Sequence, residues 1–385
     1  MAESTMNVDK FRSRQDKASM ETIVVTGGCG FIGQHIVRQL MEQRLFPLKE
    51  IRIFDIQEFN WFHGMEPYTN NSQATIKYVK GDIGDIDQLQ SAFQDATTVI
   101  HSAGDISVTT SPDKEKLQRV NVKGTENVIQ ACINSNTERL VFTSSVDAFL
   151  PPEPFPTPEV TEEQVPKPHK FLMGPYAESK FNADKLVLEA NNKLLENGKK
   201  LKTCALRIPF SYGEGDVQAK NYIGEAVKQK KLYLAGGDEN VVQKMYAGNA
   251  AWAHVLAVSK LLNPEHESSP AGKGIFIGDH TPLMSFSSHY IEFARRAGAS
   301  IGPTIPIPVL YAIGAFVESI AWVLSPVYSL RSETMRATAA FFTSNNYTVS
   351  WELSRRCLGY SPIFSYKDSV ERSWVYLKKT VIDKE

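Results

Sequence analysis

Tyr176 and Lys180, in the run Tyr176-Ala177-Glu178-Ser179-Lys180, stand four residues apart and so share one face of a helix. A free phenol ionises near pH 10 and is a poor base at neutral pH. Bringing that value to about 7 takes roughly 4 kcal/mol of differential stabilisation of the phenolate. An ammonium one turn away, together with a cationic cofactor ring, can supply it. Ser145 closes the run Leu140 to Ser145 (LVFTSS) and offers a hydroxyl that can fix the angle of a substrate oxygen. Such a trio can take the proton of an alcohol while hydride leaves the carbon that carries it. The same Tyr-Lys spacing arises by chance on many surface helices, so its meaning depends on the elements around it.

Those elements begin with Glu21 to Val37 (ETIVVTGGCGFIGQHIV), a β-branched run, a glycine turn and an amphipathic helix start. Gly27, Gly30 and Gly33 follow the spacing GxxGxxG. The first lets the chain turn sharply, the second lets backbone approach a pyrophosphate, and the third lets helix pack on strand. The helix N-terminus then offers N–H groups and a positive dipole end to phosphates. Glu50 to Ile56 (EIRIFDI) reads as a second strand carrying Asp55, about 20 residues past the last glycine, where an acid binds adenosine ribose hydroxyls. That carboxylate repels a 2′-phosphate of about −1.5 to −2 charges. No Arg or Lys follows closely to receive one, so NAD is expected over NADP.

Ile76 to Val79, Ala96 to His101 and Leu140 to Ser145 are three further strands. Asp82, after the third strand, either receives the adenine amino group or caps the helix that starts near Asp85. Ser102-Ala103-Gly104, after the fourth, lets a nicotinamide lie close to backbone. Helices including 120–134 and 176–190 intervene. Strand and helix therefore alternate, which predicts a doubly wound α/β fold on a parallel sheet with right-handed crossovers. A proline-rich loop over 151–175 delivers Tyr176 to its helix and is of a kind that borders active sites. From about Gly213 the alternation weakens. The expected division is a tail over 1–20, a dinucleotide domain over 21–215, a substrate lobe over 216–308, a hydrophobic segment over 309–330, and the rest of the lobe over 331–385.

The 385 residues are 42% hydrophobic and 22% charged, enough for a large core. A net charge of −1 gives no electrostatic case for nucleic acid. Cys29, Cys132, Cys204 and Cys357 are scattered, with no metal spacing, and are expected as reduced thiols. No His, Cys or carboxylate cluster has the spacing of a metal site, and no metal is expected. His254, in an apolar helical stretch, reads as a hydrogen-bonded core residue. Residues 1–20 are polar and of mixed charge, unlike a signal or transit peptide. Val309 to Leu324 (VLYAIGAFVESIAWVL) is apolar but carries Glu318 and is bracketed by Pro306, Pro308 and Pro326. As a helix it would be about 24 Å long, short of a roughly 30 Å hydrocarbon core. By composition it is a core helix, a re-entrant anchor or an interfacial helix.

With these residues in order, the chain resembles the extended short-chain dehydrogenase/reductases. Within them it is most similar to the 3β-hydroxysteroid dehydrogenase/isomerase family, from about residue 21 to 380. The most specific blocks are Met245 to Val258 (MYAGNAAWAHVLAV), Ile275 to Pro282 (IFIGDHTP) and Leu358 to Tyr366 (LGYSPIFSY). The resemblance implies NAD held by Gly27, Gly30, Gly33 and Asp55, with Asp82 beside the adenine. It implies Ser145, Tyr176 and Lys180 as the catalytic set, with Lys180 also on the nicotinamide ribose. It implies a steroid or sterol substrate, attachment to a membrane surface (chiefly the endoplasmic reticulum, with mitochondria as the alternative) and a homodimer through 120–134 and 176–190. Two positions depart from the family pattern. Arg207-Ile208-Pro209 inserts an isoleucine before the cofactor-contacting Pro209, and Asp279-His280 stands where two Asp are usual. Asp279 is either the residue that moves a proton between C4 and C6 in a Δ5-to-Δ4 isomerisation or a loop cap. The alternatives are a decarboxylating sterol 4-carboxylate 3-dehydrogenase, a nucleotide-sugar epimerase and a catalytically silent NAD-binding module.

Overall fold

The structure, a computed structural model, describes residues 20–67, 69–151, 159–165, 168–235, 241–263, 269–333, 335 and 348–383. The expected tail therefore lies outside the described residues except for Met20, as do parts of the proline-rich loop.

Strand β1 (Glu21–Thr26) is buried at every residue. Ile23 and Val25 enter one hydrophobic cluster and Val24 another, so both faces of the strand are covered. An uninterrupted β-branched run is what such a doubly covered parallel strand requires. Helix α1 (Phe31–Glu42) starts after the glycine turn, and β2 (Leu48–Asp55), β3 (Thr75–Lys80), α2 (Ile86–Phe93) and β4 (Thr98–His101) follow. A one-turn α3 (Lys114–Leu117) runs into a π-helical stretch, Gln118–Lys123, and then α4 (Gly124–Asn134). The expected single helix over 120–134 is thus broken in winding. Next come β5 (Arg139–Ser145), a 3₁₀ turn Val146–Phe149, α5 (Gly174–Glu189) and β6 (Lys202–Ile208).

The remaining strands are β7 (Phe210–Tyr212), β8 (Lys231–Ala235), β9 (Lys244–Tyr246), β10 (Gly274–Phe276) and β11 (Ser300–Ile305). The remaining helices are α6 (Val217–Lys228), α7 (Ala247–Leu262), α8 (Ile291–Arg296), α9 (Ile307–Leu324), α10 (Glu352–Leu358) and α11 (Tyr366–Leu377).

The main sheet has seven strands in the order β10-β6-β5-β4-β1-β2-β3, each pair parallel. The order reverses between β1 and β4, and in such sheets ligands bind outside the carboxyl ends of the strands at that point. Helices α1, α7 and α10 cover one face, and α2, α4 and α5 the other. The doubly wound α/β fold is the one expected. The lobe is built on two small parallel pairs, β7 with β9 and β8 with β11.

The division expected at residue 215 is crossed by the chain. Helix α7 packs against α1, and β10 is the edge strand of the main sheet, so part of 216–308 belongs to the dinucleotide half. Pairing between distant strands decides this, and no local composition shift marks it.

Candidate active site

The glycine turn leaves β1 and is shaped by close approaches. Gly27 has φ of +71°, and a Cβ there would come within 2.5 Å of Ala103 backbone atoms in the segment leaving β4. Only glycine meets both demands. A Cβ on Gly33 would stand 2.0 Å from the Gly27 carbonyl oxygen, so α1 can seat against the turn only because that atom is missing. Gly30 is the N-cap of α1 and makes no side-chain cap, which leaves the helix start to backbone N–H groups and their dipole.

Asp55 ends β2 beside this turn. It accepts from the backbone N–H of Cys29, inside the glycine segment, at 2.9 Å and from that of Gln57 at 2.9 Å. It therefore holds the turn while retaining lone pairs for ribose hydroxyls. The cradle fits NAD in its glycine contours, its uncapped helix start and its acid.

Asp82 accepts from the Gly84 N–H at 2.8 Å and lies 3.8 Å from the Arg119 guanidinium. The cap of α2 is Asp85 itself, which receives Asp87 and Gln88 N–H groups. The capping alternative for Asp82 is thus taken by another residue. Pro209 sits between β6 and β7, where the chain leaves the main sheet for the lobe.

Ser145, Tyr176 and Lys180 are brought together where β5 ends and α5 begins. Tyr176 is buried, and Ser145 is the neighbour that favours its phenolate. The Lys180 ammonium is buried, donates to the Thr143 carbonyl at 2.8 Å and lies 4.3 Å from the Phe142 ring centroid. Burial lowers the Lys180 ammonium to about 8, with Asp184 opposing the shift. The Tyr176 phenol is pushed above its ordinary value, by burial first and then by the Asp147 carboxylate, against the Ser145 hydrogen bond. The expected lowering calls on Lys180 together with a cationic cofactor ring; in the protein alone, burial disfavours the phenolate more than its neighbours favour it. A cationic cofactor ring remains the missing positive charge.

Two site residues escaped the sequence. Asn121 lies in the π-helical stretch, a winding that recurs at functional sites. Its side chain accepts from Asp105 N–H at 2.7 Å, donates to the Asp105 carbonyl at 3.0 Å and donates to Ser179 Oγ at 2.8 Å. Ser179 in turn donates to the Tyr176 carbonyl at 2.7 Å, so Asn121 ties the loop after β4 to the helix that carries the phenol. Asp147, two residues after Ser145, shares a 3.3 Å hydrogen bond with its hydroxyl. The spacing Ser-Val-Asp was the one available signal for it.

Asp279 stands elsewhere. It accepts from Tyr246 N–H, Asn249 Nδ2 and Thr281 N–H, each at 2.9 Å. Three donors on one carboxylate clamp β9, α7 and the segment after β10 together, the loop-capping alternative in stronger form. His254 meets Thr143 Oγ1 at 2.8 Å and the Ala250 carbonyl at 2.8 Å, a satisfied core residue. Among the described residues no group of three or more His, Cys, Asp or Glu is placed to hold a metal ion.

Solved structures share this architecture. MoeE5 in complex with UDP-glucuronic acid and NAD matches with a TM-score of 0.65 at 16% identity, over 93% of this chain and 99% of that one. DesIV, a dTDP-glucose 4,6-dehydratase from Streptomyces venezuelae with NAD and TYD bound, matches with a TM-score of 0.66 at 20% identity, over 93% and 97%. At such identities the likeness carries the fold. Sequence carries more. A mouse (Mus musculus) relative, 3 beta-hydroxysteroid dehydrogenase type 7, is 31% identical over 380 residues, 94% of this chain and 97% of its own length. The model of the 3-beta hydroxysteroid dehydrogenase/isomerase family matches residues 24–309, a span that runs from β1 through the glycine turn, Ser145, Tyr176 and Lys180 into α9. Cradle, buried phenol and the blocks at 245–258 and 275–282 thus fall within one match, and the chain belongs to the 3-beta hydroxysteroid dehydrogenase/isomerase family.

Proposed function

We propose that the protein oxidises the 3β-hydroxyl of a steroid or sterol to the 3-ketone, at the site formed by Ser145, Tyr176 and Lys180, with NAD as the cofactor. The observation that carries this reading is the buried Tyr176 phenol on α5, one turn from the buried Lys180 ammonium, which reaches back to the Thr143 carbonyl of the strand that ends in Ser145. Gly27, Gly30, Gly33 and Asp55 hold the dinucleotide, with Asp82 at the adenine end and Pro209 at the nicotinamide end. Bound NAD supplies the hydride acceptor and a positive charge that favours the phenolate. Ser145 orients the substrate hydroxyl, Tyr176 takes its proton, and Lys180 steadies the phenolate and the nicotinamide ribose. Met173, Phe149, Phe276 and Tyr290 belong to the same apolar cluster as Tyr176, and this surface excludes water from the reacting atoms.

Helix α9 supports a lipid-borne substrate. It has 18 residues, about 27 Å at 1.5 Å per residue, and starts at Ile307 rather than Val309 because Pro308 is accommodated in its first turn. Only Gly314 and Ala321 are buried, while Phe316, Trp322 and Val323 are exposed. An apolar surface of this size on one helix marks a membrane or partner contact. The segment that leaves α9 is tied to the loop after β4: Thr110 N–H donates to the Ser332 carbonyl at 2.8 Å, and Ser111 and Ser329 hydroxyls meet at 2.8 Å. A membrane-resting α9 would hold that loop, and with it the Asn121 and Tyr176 edge of the site, near the bilayer surface. The endoplasmic reticulum is the membrane we favour.

A Δ5-to-Δ4 shift after oxidation is part of the proposal, and the clamped Asp279 is a poor proton carrier for it. The test is incubation with NAD and a panel of 3β-hydroxysterols, following NADH and conjugated-enone absorbance separately. NADH with enone supports both steps. NADH alone limits the enzyme to dehydrogenation, and neither signal sinks the reading.

A further inference from the structure

We propose that Asp147, through its contact with Ser145 and its place beside Tyr176, is the positioning residue that sets the pH at which this site abstracts the substrate proton. The proposal rests on the Ser145-Tyr176-Lys180 reading and extends it to a residue with no assigned role.

Asp147 follows Ser145 by two residues because β5 ends in a 3₁₀ turn, Val146–Phe149. Its N–H donates to Ser145 Oγ at 3.2 Å, and Ser145 Oγ donates to its Oδ2 at 3.3 Å. The 3₁₀ turn packs against α5, the helix of Tyr176. The charged groups of the surrounding elements are committed elsewhere. Lys180 is turned to the Thr143 carbonyl. Arg207 of β6 donates twice to Asp184, at 3.1 and 2.9 Å, and stacks 3.9 Å over the Phe149 ring. Among the described residues no cation pairs with Asp147. Burial raises its carboxyl to about 6 against the Ser145 hydrogen bond, and its charge in turn raises the Tyr176 phenol.

Two consequences follow from that geometry. A carboxylate beside a phenol disfavours the phenolate, so an ionised Asp147 delays proton abstraction to higher pH. An ionised Asp147 also engages the Ser145 proton, which is then not offered to the substrate oxygen. A protonated Asp147 reverses both effects: it donates to Ser145 and releases the serine proton toward the substrate. No co-reactant is needed: the proton that neutralises Asp147 comes from solvent, and Ser145 keeps its own proton while turning it toward the substrate oxygen.

Asp147→Asn keeps the shape, donates to Ser145 and removes the charge. The first measurement is the tyrosinate absorbance of the full chain against pH, with the Tyr176→Phe difference isolating this phenol. The Asn variant is expected to ionise Tyr176 roughly half to one pH unit lower than wild type, and Asp147→Glu to restore the wild-type midpoint. The second is the pH profile of NAD reduction, whose acidic limb is expected to move the same way, giving about a threefold to fivefold higher rate one unit below the wild-type midpoint. An unmoved midpoint overturns the proposal, as does a loss equal at every pH that Asp147→Glu does not rescue. Should the Asn variant not fold, Asp147→Ser reads the same midpoint. The absorbance measurement needs no substrate, so a wrong sterol assignment would show as missing NADH while the midpoint still decides on Asp147.

Discussion

Strand β1 and helix α9 are both runs of apolar residues, and the fold treats them oppositely. Every residue of β1 is buried between two hydrophobic clusters. Helix α9 buries two of its residues and turns Phe316, Trp322 and Val323 outward, with Trp322 79% exposed. Burial of apolar area contributes about 25 cal/mol per Å², so β1 contributes to folding in full and α9 contributes little until something covers it. The comparison separates two jobs. The dinucleotide half has to be rigid to hold cofactor and phenol, whereas α9 can be altered with little effect on that half.

The largest expected effect falls on the chemistry of the rigid half. Tyr176→Phe should lower kcat roughly a thousandfold while NAD binding, read by fluorescence quenching, stays within twofold. A variant retaining wild-type turnover would refute the assigned base. Ile23→Ala in β1 should cost about 2–5 kcal/mol of unfolding free energy by urea titration, because a fully packed site cannot collapse around the cavity. Phe316→Ala in α9 is the matched control and should stay within about 0.5 kcal/mol. Equal losses in the two would erase the distinction.

Asp55→Asn should weaken NAD about tenfold and narrow the preference over NADP, since a charge-assisted acceptor is lost and a repulsive charge removed. Its effect on NADP should be smaller than on NAD; equal weakening of both would reduce Asp55 to a clamp for the turn. Acid should act on the rigid half too. Burial holds His101 down at about 3 and His254 at about 4, so both are neutral in the fold. Unfolded, each takes a proton near pH 6.5. Their contribution is whole above that pH and falls as pH drops toward the folded values, by about 1.4 kcal/mol per unit for each histidine. Urea midpoints between pH 7 and 4 measure this, and His254→Gln should flatten part of the slope. The smallest effect on the fold is expected for Phe316→Glu with Trp322→Glu. Vesicle flotation should show release of the double variant while its melting temperature barely moves. Persistent flotation would remove α9 as the attachment.

The sequence carried what local physics decides. Alternation of β-branched runs with amphipathic stretches is a short-range pattern, so the five strands through Ser145 lie within a few residues of where the chain suggests. The demand of Gly27 for positive φ and of Gly33 for a missing Cβ is also written in the residue type. The register of Asp55 with the turn and of Lys180 with Tyr176 follows from fixed geometry, one of fold and one of helix pitch. Long-range placement was not legible. The return of α7 and β10 to the main sheet depends on pairing between strands far apart in sequence, as does the clamp of three donors on Asp279. The break in winding at Asn121 arises where that side chain must meet Asp105 and Ser179 at once.

The direction of the Tyr176 shift belongs to the tertiary structure as well. Residue types named a phenol, an ammonium and a hydroxyl, and from them the chemistry of alcohol oxidation. Burial and the neighbouring Asp147 decided that the phenol stands above its ordinary value before a cationic cofactor arrives. Desolvation and charge proximity are properties of the space around a group, and that space is assembled from β5, α5 and the 3₁₀ turn between them.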